Sequence, residues 1–561
     1  MAGFTVNVKN NAQLTVGEIN CLADFCEYQA DDCQVIRLSD SEIIILDGYY
    51  WGIDQETLIE ACRQKDFYQL SKADGHYCGV YLNRGAVTVF NDRYGARTVY
   101  FQSNDEQTLI SSKIEQLPVS QLKYDVGSLY ESALYRWVNT EKTLLEETAK
   151  LRARSFGHFH GGVLEQTVYW QLSKPQYNAE PLEDKVESTK QALLQNLLKA
   201  RKHYRKAAIM LSGGVDSSLL AALSKEVFDD CLLVTPVFVG QANPELETAK
   251  AFAKTLDLQH LLVEIDPQAL EADLALLIEK NGGPLRHYSS LAMLAMFKQI
   301  PDEYQAIIYG EAADTLFGSN AIKRLETHYG WRKKALRIPQ PLLSLMKKVF
   351  PGRGSLYVEL KAKSIEDVLT GLTRVQYSQS SIQALTGLPF WRKGQQVPQI
   401  WPEHLAERME SSTRHVAQEY VIVNDVNTHF KEAEIVAGLH NKHLVSPFFD
   451  QNVFDIANSL NESDYYGQEY VKPVLRELAC QYYSRELIYQ KKYGFPVPFV
   501  DWLNQELVHL VESAKAERDL FDGTVLNSLS IEKDYELYWF LINWQIFHQI
   551  TRDNQSSELQ R

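Results

Sequence analysis

The stretch AAIMLSGGVDSSLLAAL, residues 207–223, runs from an apolar segment through two glycines, three serines and an aspartate into a helical pattern. KAAIML reads as a strand and SSLLAALSKEVF as a helix, so the glycine loop lies where a strand ends and a helix begins. Backbone N–H groups, hydroxyls and the positive end of a helix dipole gathered there make an anion site by geometry. A G-x4-G-K-[ST] loop would put a lysine on the β and γ phosphates, and this loop has none, which argues against kinase-like chemistry. Asp216 would repel a phosphate unless a cation lay between them, so the loop implies Mg2+ bridging a carboxylate to a polyphosphate. A plain strand-to-helix turn capped by Ser or Asp is the competing reading, and the loop alone leaves both open.

Working outward, the period is that of an α/β protein. A helix from about Leu182 to Tyr204 precedes the loop. After it come the strand CLLVTPVFV, the helix NPELETAKAFAKTLDL, the strand HLLVEID, the helices PQALEADLALLIEKN and SSLAMLAMFKQI, and the strand AIIYG. This alternation predicts right-handed crossovers and a doubly wound parallel sheet with ligands at the carboxyl ends of its strands. Up to about residue 175 the pattern is instead short alternating strands with Asp-Gly, Arg-Gly and Gly-Gly turns, which predicts antiparallel sheet with few helices. SKPQYNAEPLEDK reads as the linker. From about 321 onward the chain reads as mostly helical, with a Pro/Gly break at FPGRGS, long helices through YYSRELIYQ and a frayed end at DNQSSELQR.

The length of 561 residues suits several domains, and a formal net charge of -15 disfavours general nucleic-acid binding. MAGFTVNVKN lacks the basic and apolar regions of a signal peptide, and no 18-residue apolar window could span a bilayer; the expectation is a cytoplasmic protein with no membrane partner. Seven cysteines, an odd number in a long chain, argue against a disulfide framework. Cys21, Cys26 and Cys33 lack paired metal-ligand spacing and read as buried thiols.

LSGGVDSS resembles the pyrophosphate loop S-G-G-x-D-S of the ATP pyrophosphatase superfamily, whose members cleave ATP between the α and β phosphates. Three further segments resemble the asparagine synthetase and β-lactam synthetase branch. YGEAADTLFGSN is similar to G-E-G-[AS]-D-E-[LV]-F-G-G, with Ala312 and Thr315 as departures. KHLVSPFFDQNVFDIANSL is similar to L-E-V-R-x-P-F-L-D, with His443 and Val445 in place of Glu and Arg, and KKYGFPVPFVDWL to K-x-G-F-x-x-P. In the first part LDGYYWGID, ADGHYCGVYLN and NDRYGARTVYF are similar to segments of the class II glutaminase domain.

The resemblance implies an inactive, Ntn-hydrolase-like β-sandwich over 1–175 and an ATP pyrophosphatase domain with a helical extension over 176–561. It implies ATP bound by Leu211, Ser212, Gly213, Gly214, Asp216, Ser217 and Ser218, with Mg2+ held by Asp216 and Asp314. Lys492, or its neighbour Lys491, would neutralise charge on the α-phosphate, and Glu311 would be the general base for an incoming amine. Asp314 also reads as a helix N-cap, and His443 as a structural histidine. A class II glutaminase uses a cysteine at position 2 as nucleophile, where this chain has Ala2, and an oxyanion asparagine where it has Gly52; glutamine hydrolysis is expected to be absent.

Without glutaminase, nitrogen must come from ammonia or from an amine already on a substrate. The leading expectation is macrolactam closure of a leader-cleaved peptide, as in lasso-peptide cyclases, with a precursor-processing protease and a leader-binding protein as partners. The region 321–435 is longer than a free amino acid would require and could line a peptide-sized cleft. The alternatives are β-lactam-type cyclisation, ammonia-dependent amidation of a small carboxylate, and a scaffold without catalysis.

Overall fold

The computed structural model describes residues 3–9, 26–31, 33–119, 122–138, 141–172, 175–238, 244–335, 365–370, 372, 405–467, 469–490, 497–516 and 522–558. The amino-terminal part forms two antiparallel sheets. One runs β2 (Cys26–Asp31), β1 (Gly3–Lys9), β8 (Gln107–Ser111), β7 (Tyr100–Ser103), β9 (Ala149–Lys150). The other runs β11 (Val163–Val168), β10 (Ser155–His160), β6 (Ala86–Asn91), β5 (Asp74–Asn83), β4 (Glu42–Trp51), β3 (Gln34–Ser39).

The period of two in β4 explains how the second sheet is covered. Ile43 and Ile45 point into a core between the sheets, where they meet Phe4, Val6 and Ile110. Ile44 and Leu46 point the other way, into a core that continues without a break into the rest of the chain. At that junction the Tyr94 ring lies 3.9 Å from Phe449 and 5.8 Å from Phe430.

The second part is built on a five-stranded parallel sheet ordered β14 (Gln259–Ile265), β13 (Asp230–Phe238), β12 (Lys206–Met210), β15 (Ala306–Ile308), β16 (His443–Val445). Ala207 and Ile209 bury one face with the helix Val215–Val227, while Ala208 and Ile307 bury the other with helices that include Leu270–Asn281 and Asn427–Leu439. Both faces being covered accounts for the continuous apolar runs of these strands. The chain steps outward from β12 to β14 and then returns to the other side of β12 for β15. The carboxyl ends of β12 and β15 therefore flank the topological switch point, where open α/β sheets bind ligands.

Several expectations need correction. β16 is a fifth parallel strand inside the region read as helical; at three residues it is too short to show a period. The segment read as long helices through YYSRELIYQ consists of short ones, including Gln451–Ser459, Pro473–Ala479 and Arg485–Ile488. The expected linker is pinned, because Gln176 N–H and Asn178 N–H donate to Asn458 O and Ser459 O. The end expected to fray belongs to the helix Ile531–Glu558, whose aromatic residues Trp539 and Trp544 are fully buried. Cys62, Cys78 and Cys231 are buried, but Cys33 and Cys480 are only half-buried; Cys21, Ala2 and FPGRGS lie outside the described residues.

Two buried ionic clusters tie the parts together. Glu434, on the helix Asn427–Leu439, takes hydrogen bonds from Tyr49 Oη at 2.6 Å and His76 Nδ1 at 2.5 Å, and pairs with Arg97 at 3.0 Å. Burial alone would raise its carboxyl, but His76, Arg97 and the Tyr49 hydroxyl hold it down at about 2. In the second cluster Lys199 Nζ bridges Asp74 at 2.7 Å and Asp450 at 2.5 Å.

Candidate active site

The loop Leu211–Gly214 leaves the carboxyl end of β12 and enters the helix Val215–Val227. Leu211 anchors it: the side chain is buried, its N–H donates to Val234 O at 2.9 Å, and its carbonyl accepts from Thr235 Oγ1 at 2.7 Å. Leu211 thus positions the loop and has its backbone groups engaged in the sheet. Gly213 adopts φ +81°, and a Cβ there would meet Glu245 O at 2.7 Å, so no other residue fits this turn without movement.

The Ser212 and Ser217 hydroxyls lie 3.1 Å apart, and Ser217 Oγ accepts from Ser212 N–H at 3.1 Å, which draws the loop into a cup over the helix start. Ser218 is turned away, its hydroxyl donating to Val215 O at 3.0 Å. The helix dipole and two hydroxyls give this loop the geometry of an anion cradle.

Asp216 and Asp314 converge. Both carboxylates contact the ammonium of Lys472, at 2.5 and 2.6 Å. Asp314 sits in the first turn of the helix Ala313–Phe317, whose N-cap position is Ala312, so the capping reading of Asp314 does not hold. Ala312 takes φ +73°, a left-handed conformation in the position where the similar segment has glycine. Two hard carboxylate donors directed at one point beside a phosphate cradle suit Mg2+, and the ammonium of Lys472 supplies positive charge between them. Among the described residues no group of three or more His, Cys, Asp and Glu gathers as a metal site, so Asp216 and Asp314 would hold a cation as a pair, with a phosphate chain or water completing its shell.

Lys472 was not singled out from sequence. It immediately precedes Pro473 at the start of the helix Pro473–Ala479 and is held in a left-handed conformation with φ +65°, its side chain 3% exposed. The only local signal is a lysine ahead of a helix-initiating proline. Lys491 and Lys492 lie outside the described residues.

Glu311 follows β15 and stands beside the cradle: a Cβ added at its neighbour Gly310 would come within 4.0 Å of Ser217 N. Its carboxylate accepts from His429 Nδ1 at 2.9 Å and from Tyr309 Oη at 3.2 Å. His429 Nε2 in turn lies 2.6 Å from His287 Nδ1. Burial would raise Glu311, but His429 and the Ala312 N–H bring it below the ordinary carboxylate range. Burial would lower His429, but Glu311 raises it overall, whereas burial together with His429 and Arg286 pushes His287 well down. Glu311 is thus made the more acidic carboxyl and His429 the more basic of the two imidazoles, so the pair Glu311–His429 favours charge separation while His287 favours its neutral form.

Glu432 fixes this chain from behind, accepting from Arg286 N–H at 2.6 Å and Ser290 Oγ at 2.5 Å. Sequence reasoning found Glu311 but neither histidine. His443 plays no part here: it starts β16 at the opposite end of the sheet, stacked on Tyr204 at 5.3 Å and edge-on to Tyr49 at 4.7 Å.

Residues 190–548 match the family model described as asparagine synthase. The chain belongs to the asparagine synthase family. It is similar to asparagine synthetase [glutamine-hydrolyzing] 1 of Bacillus subtilis (strain 168), 23% identical over 509 residues that cover 87% of this chain and 77% of the relative. It is also similar to a putative asparagine synthetase [glutamine-hydrolyzing] of Mycobacterium bovis, 20% identical over 73% of this chain and 65% of the relative. A third relative, amidase chry2 of Gibberella zeae, is 23% identical over 88% of this chain and 79% of its own length. At the level of the family this is an ATP-dependent ligase. Among the described residues no helix is long and apolar enough to cross a membrane.

Proposed function

We propose that the chain forms an amide by adenylating a carboxylate and passing the acyl group to an amine that it does not obtain from glutamine, and that the reaction is macrolactam closure of a leader-cleaved peptide. The observation that carries the reading is the Glu311 carboxylate, hydrogen-bonded to His429 at 2.9 Å next to the loop that follows β12. The carboxylate of the substrate attacks the α-phosphorus of ATP, and pyrophosphate leaves. The amine attacks the acyl-adenylate, AMP leaves, and the amine proton passes to Glu311. Ser212, Ser217 and the start of the helix Val215–Val227 would hold the pyrophosphate portion. Asp216 and Asp314 would hold Mg2+, which when bound offsets phosphate charge, and Lys472 or the lysines at 491 and 492 would offset more of it. Catalysis is then positioning and electrostatics, with one base.

Ala2 and Gly52 support an amine source other than glutamine, since thiol and oxyanion donor are both lacking. The helices Asn320–Ala335, Ile365–Thr370, Leu405–Ser411 and Thr413–Val421 support a large acceptor: Ile322, Leu369, Met409 and Tyr420 give them a small core of their own beside the site. A precursor-processing protease and a leader-binding protein would be the partners.

The test is purified chain with ATP, Mg2+ and a leader-cleaved peptide bearing an Asp or Glu side chain. The expected products are AMP, pyrophosphate and a peptide lighter by one water. Asp216→Asn should abolish pyrophosphate release, while Glu311→Gln should retain pyrophosphate exchange and lose amide formation. Asparagine made from aspartate and ammonia, with no change in peptide mass, would replace ring closure by simple amidation. Glutamate released from glutamine would overturn the amine source.

A further inference from the structure

A cavity of about 90 Å³ lies where the two parts of the chain meet, lined from one side by Ser132, Trp137, Lys150 and Arg152 and from the other by Asn281 and Lys431 among others. No carboxylate is among its lining residues. Lys150 Nζ donates to Val138 O at 2.6 Å and Lys431 Nζ to Asn281 O at 3.1 Å, so each ammonium has a backbone carbonyl where a counter-ion would be expected.

Neutral donors in the same wall are also unspent. Ser132 and Trp137 are 1% and 7% exposed, and Ser132 Oγ and Trp137 Nε1 are buried with no hydrogen-bond partner, as is Arg152 Nε. Buried donors left without acceptors are rare in native proteins, because each costs a lost hydrogen bond with water. A cavity wall of donors with no carboxylate among its lining, its nearby glutamates standing outside it, is suited to an acceptor that carries negative charge.

We infer that this cavity is a binding site for a small oxyanion, a carboxylate or a phosphate, held between Lys150 and Lys431 with Trp137 and Ser132 as hydrogen-bond donors. The volume fits a few heavy atoms, since a water molecule takes about 30 Å³ of liquid. It opens toward a larger cavity of about 450 Å³ that shares Thr98, Tyr100, Ile114 and Lys431 with it, so an anionic group carried on a longer molecule also fits. The electrostatics agree with the geometry. Burial, and for Lys150 also Lys431, pushes Lys150 down to about 7 and Lys431 to about 8, although Glu131, Glu141, Glu432 and Glu115 act on them in the opposite sense. An anion between the two ammoniums would restore both charges.

The cavity shares chain elements with the candidate active site. Lys431 is on the helix that carries His429, and Asn281 precedes the segment holding Arg286 and His287, with the Arg286 guanidinium 3.7 Å from the centre of the Trp137 ring. Two sources of the oxyanion are therefore open: a carboxylate on the amine-bearing substrate, or a free anion that sets the spacing of the two parts.

Binding is read on the full chain without turnover, by thermal shift and calorimetry at constant ionic strength with chloride replaced by acetate, glycine or inorganic phosphate. Saturable stabilisation by acetate or phosphate is expected, weakened about tenfold or more in Lys431→Met and in Lys150→Met, as for loss of a charge-assisted hydrogen bond. Ser132→Ala removes only a buried hydroxyl that has no hydrogen-bond partner, so it guards against a folding defect; it should weaken the same anions severalfold with unchanged melting in chloride. Glycine binding at least tenfold tighter than acetate assigns the site to an amine-bearing substrate, and equal binding assigns it to a free anion. No saturable effect in wild type, or equal affinity in wild type and all three variants, overturns the inference.

Discussion

Replacing Lys472 by Met tests how the two carboxylates of the site are balanced. The ammonium is 3% exposed and lies 2.5 Å from Asp216 and 2.6 Å from Asp314. Asp314 is 63% exposed and remains solvated without its partner, so its share of the loss is small. Asp216, at 13%, would lose a buried ion-pair partner while Arg476 stays near enough to offset part of its charge, so the cost should come to no more than about 3 kcal/mol, the low end of measured cases. Lys472→Met should therefore melt several degrees below wild type in EDTA. Mg2+ should then reverse the order of response. In wild type the cation competes with a resident ammonium; in the variant it meets two carboxylates relieved of that ammonium, and saturating it a hundredfold would return about 2.7 kcal/mol. Differential scanning fluorimetry across a Mg2+ series reads both effects, and the double variant Lys472→Met/Asp216→Asn should lose most of the penalty and of the Mg2+ response. Equal melting of wild type and Lys472→Met in EDTA, or equal Mg2+ shifts in the two, would refute the shared-carboxylate reasoning.

Glu434→Gln should lose stability that wild type holds at neutral pH and sheds in acid. Its carboxyl is depressed from an ordinary 4.5 to about 2, so the contribution, about 3 kcal/mol, is complete above pH 4.5 and is lost as pH falls toward 2. Urea midpoints of the two proteins should converge over that window, and a constant gap would exclude the linkage. His429 is raised above 6.5, so its contribution is present below that pH and fades as pH rises through the folded value; the stability gap between wild type and His429→Asn should narrow on going alkaline. Ala312→Gly should stabilise by about 1 kcal/mol, because the position already has φ +73°; an unchanged or lower melting temperature would show that the alanine methyl contributes packing that offsets its strain.

The parts of this fold that follow a local period were legible in the sequence: the alternation of β4, the strand–loop–helix around Gly213, and the helix and strand succession from Leu182 to Ile308. What was not legible depends on distant chain segments meeting. Lys472 is 256 residues from Asp216, and His429 is 118 from Glu311 and 142 from His287, so no window of sequence contains both partners. β16 is held by register with β15 instead of by any pattern of its own. The capping reading of Asp314 failed because Ala312, two residues earlier, takes the N-cap position in a left-handed conformation, which places Asp314 inside the first turn.

The amino-terminal part is bound deeply to the rest of the chain. Ile44 and Leu46 lie in a core shared with the parallel-sheet part, Glu434 is held by three of its side chains, and Asp74 is joined to Asp450 through Lys199. Each of these would leave buried charge or apolar surface exposed if the part were lost. It also contributes Trp137 and Lys150 to the cavity whose other wall includes Lys431, on the helix that carries His429. Removing it should therefore destabilise the parallel-sheet part itself and not merely detach a neighbour.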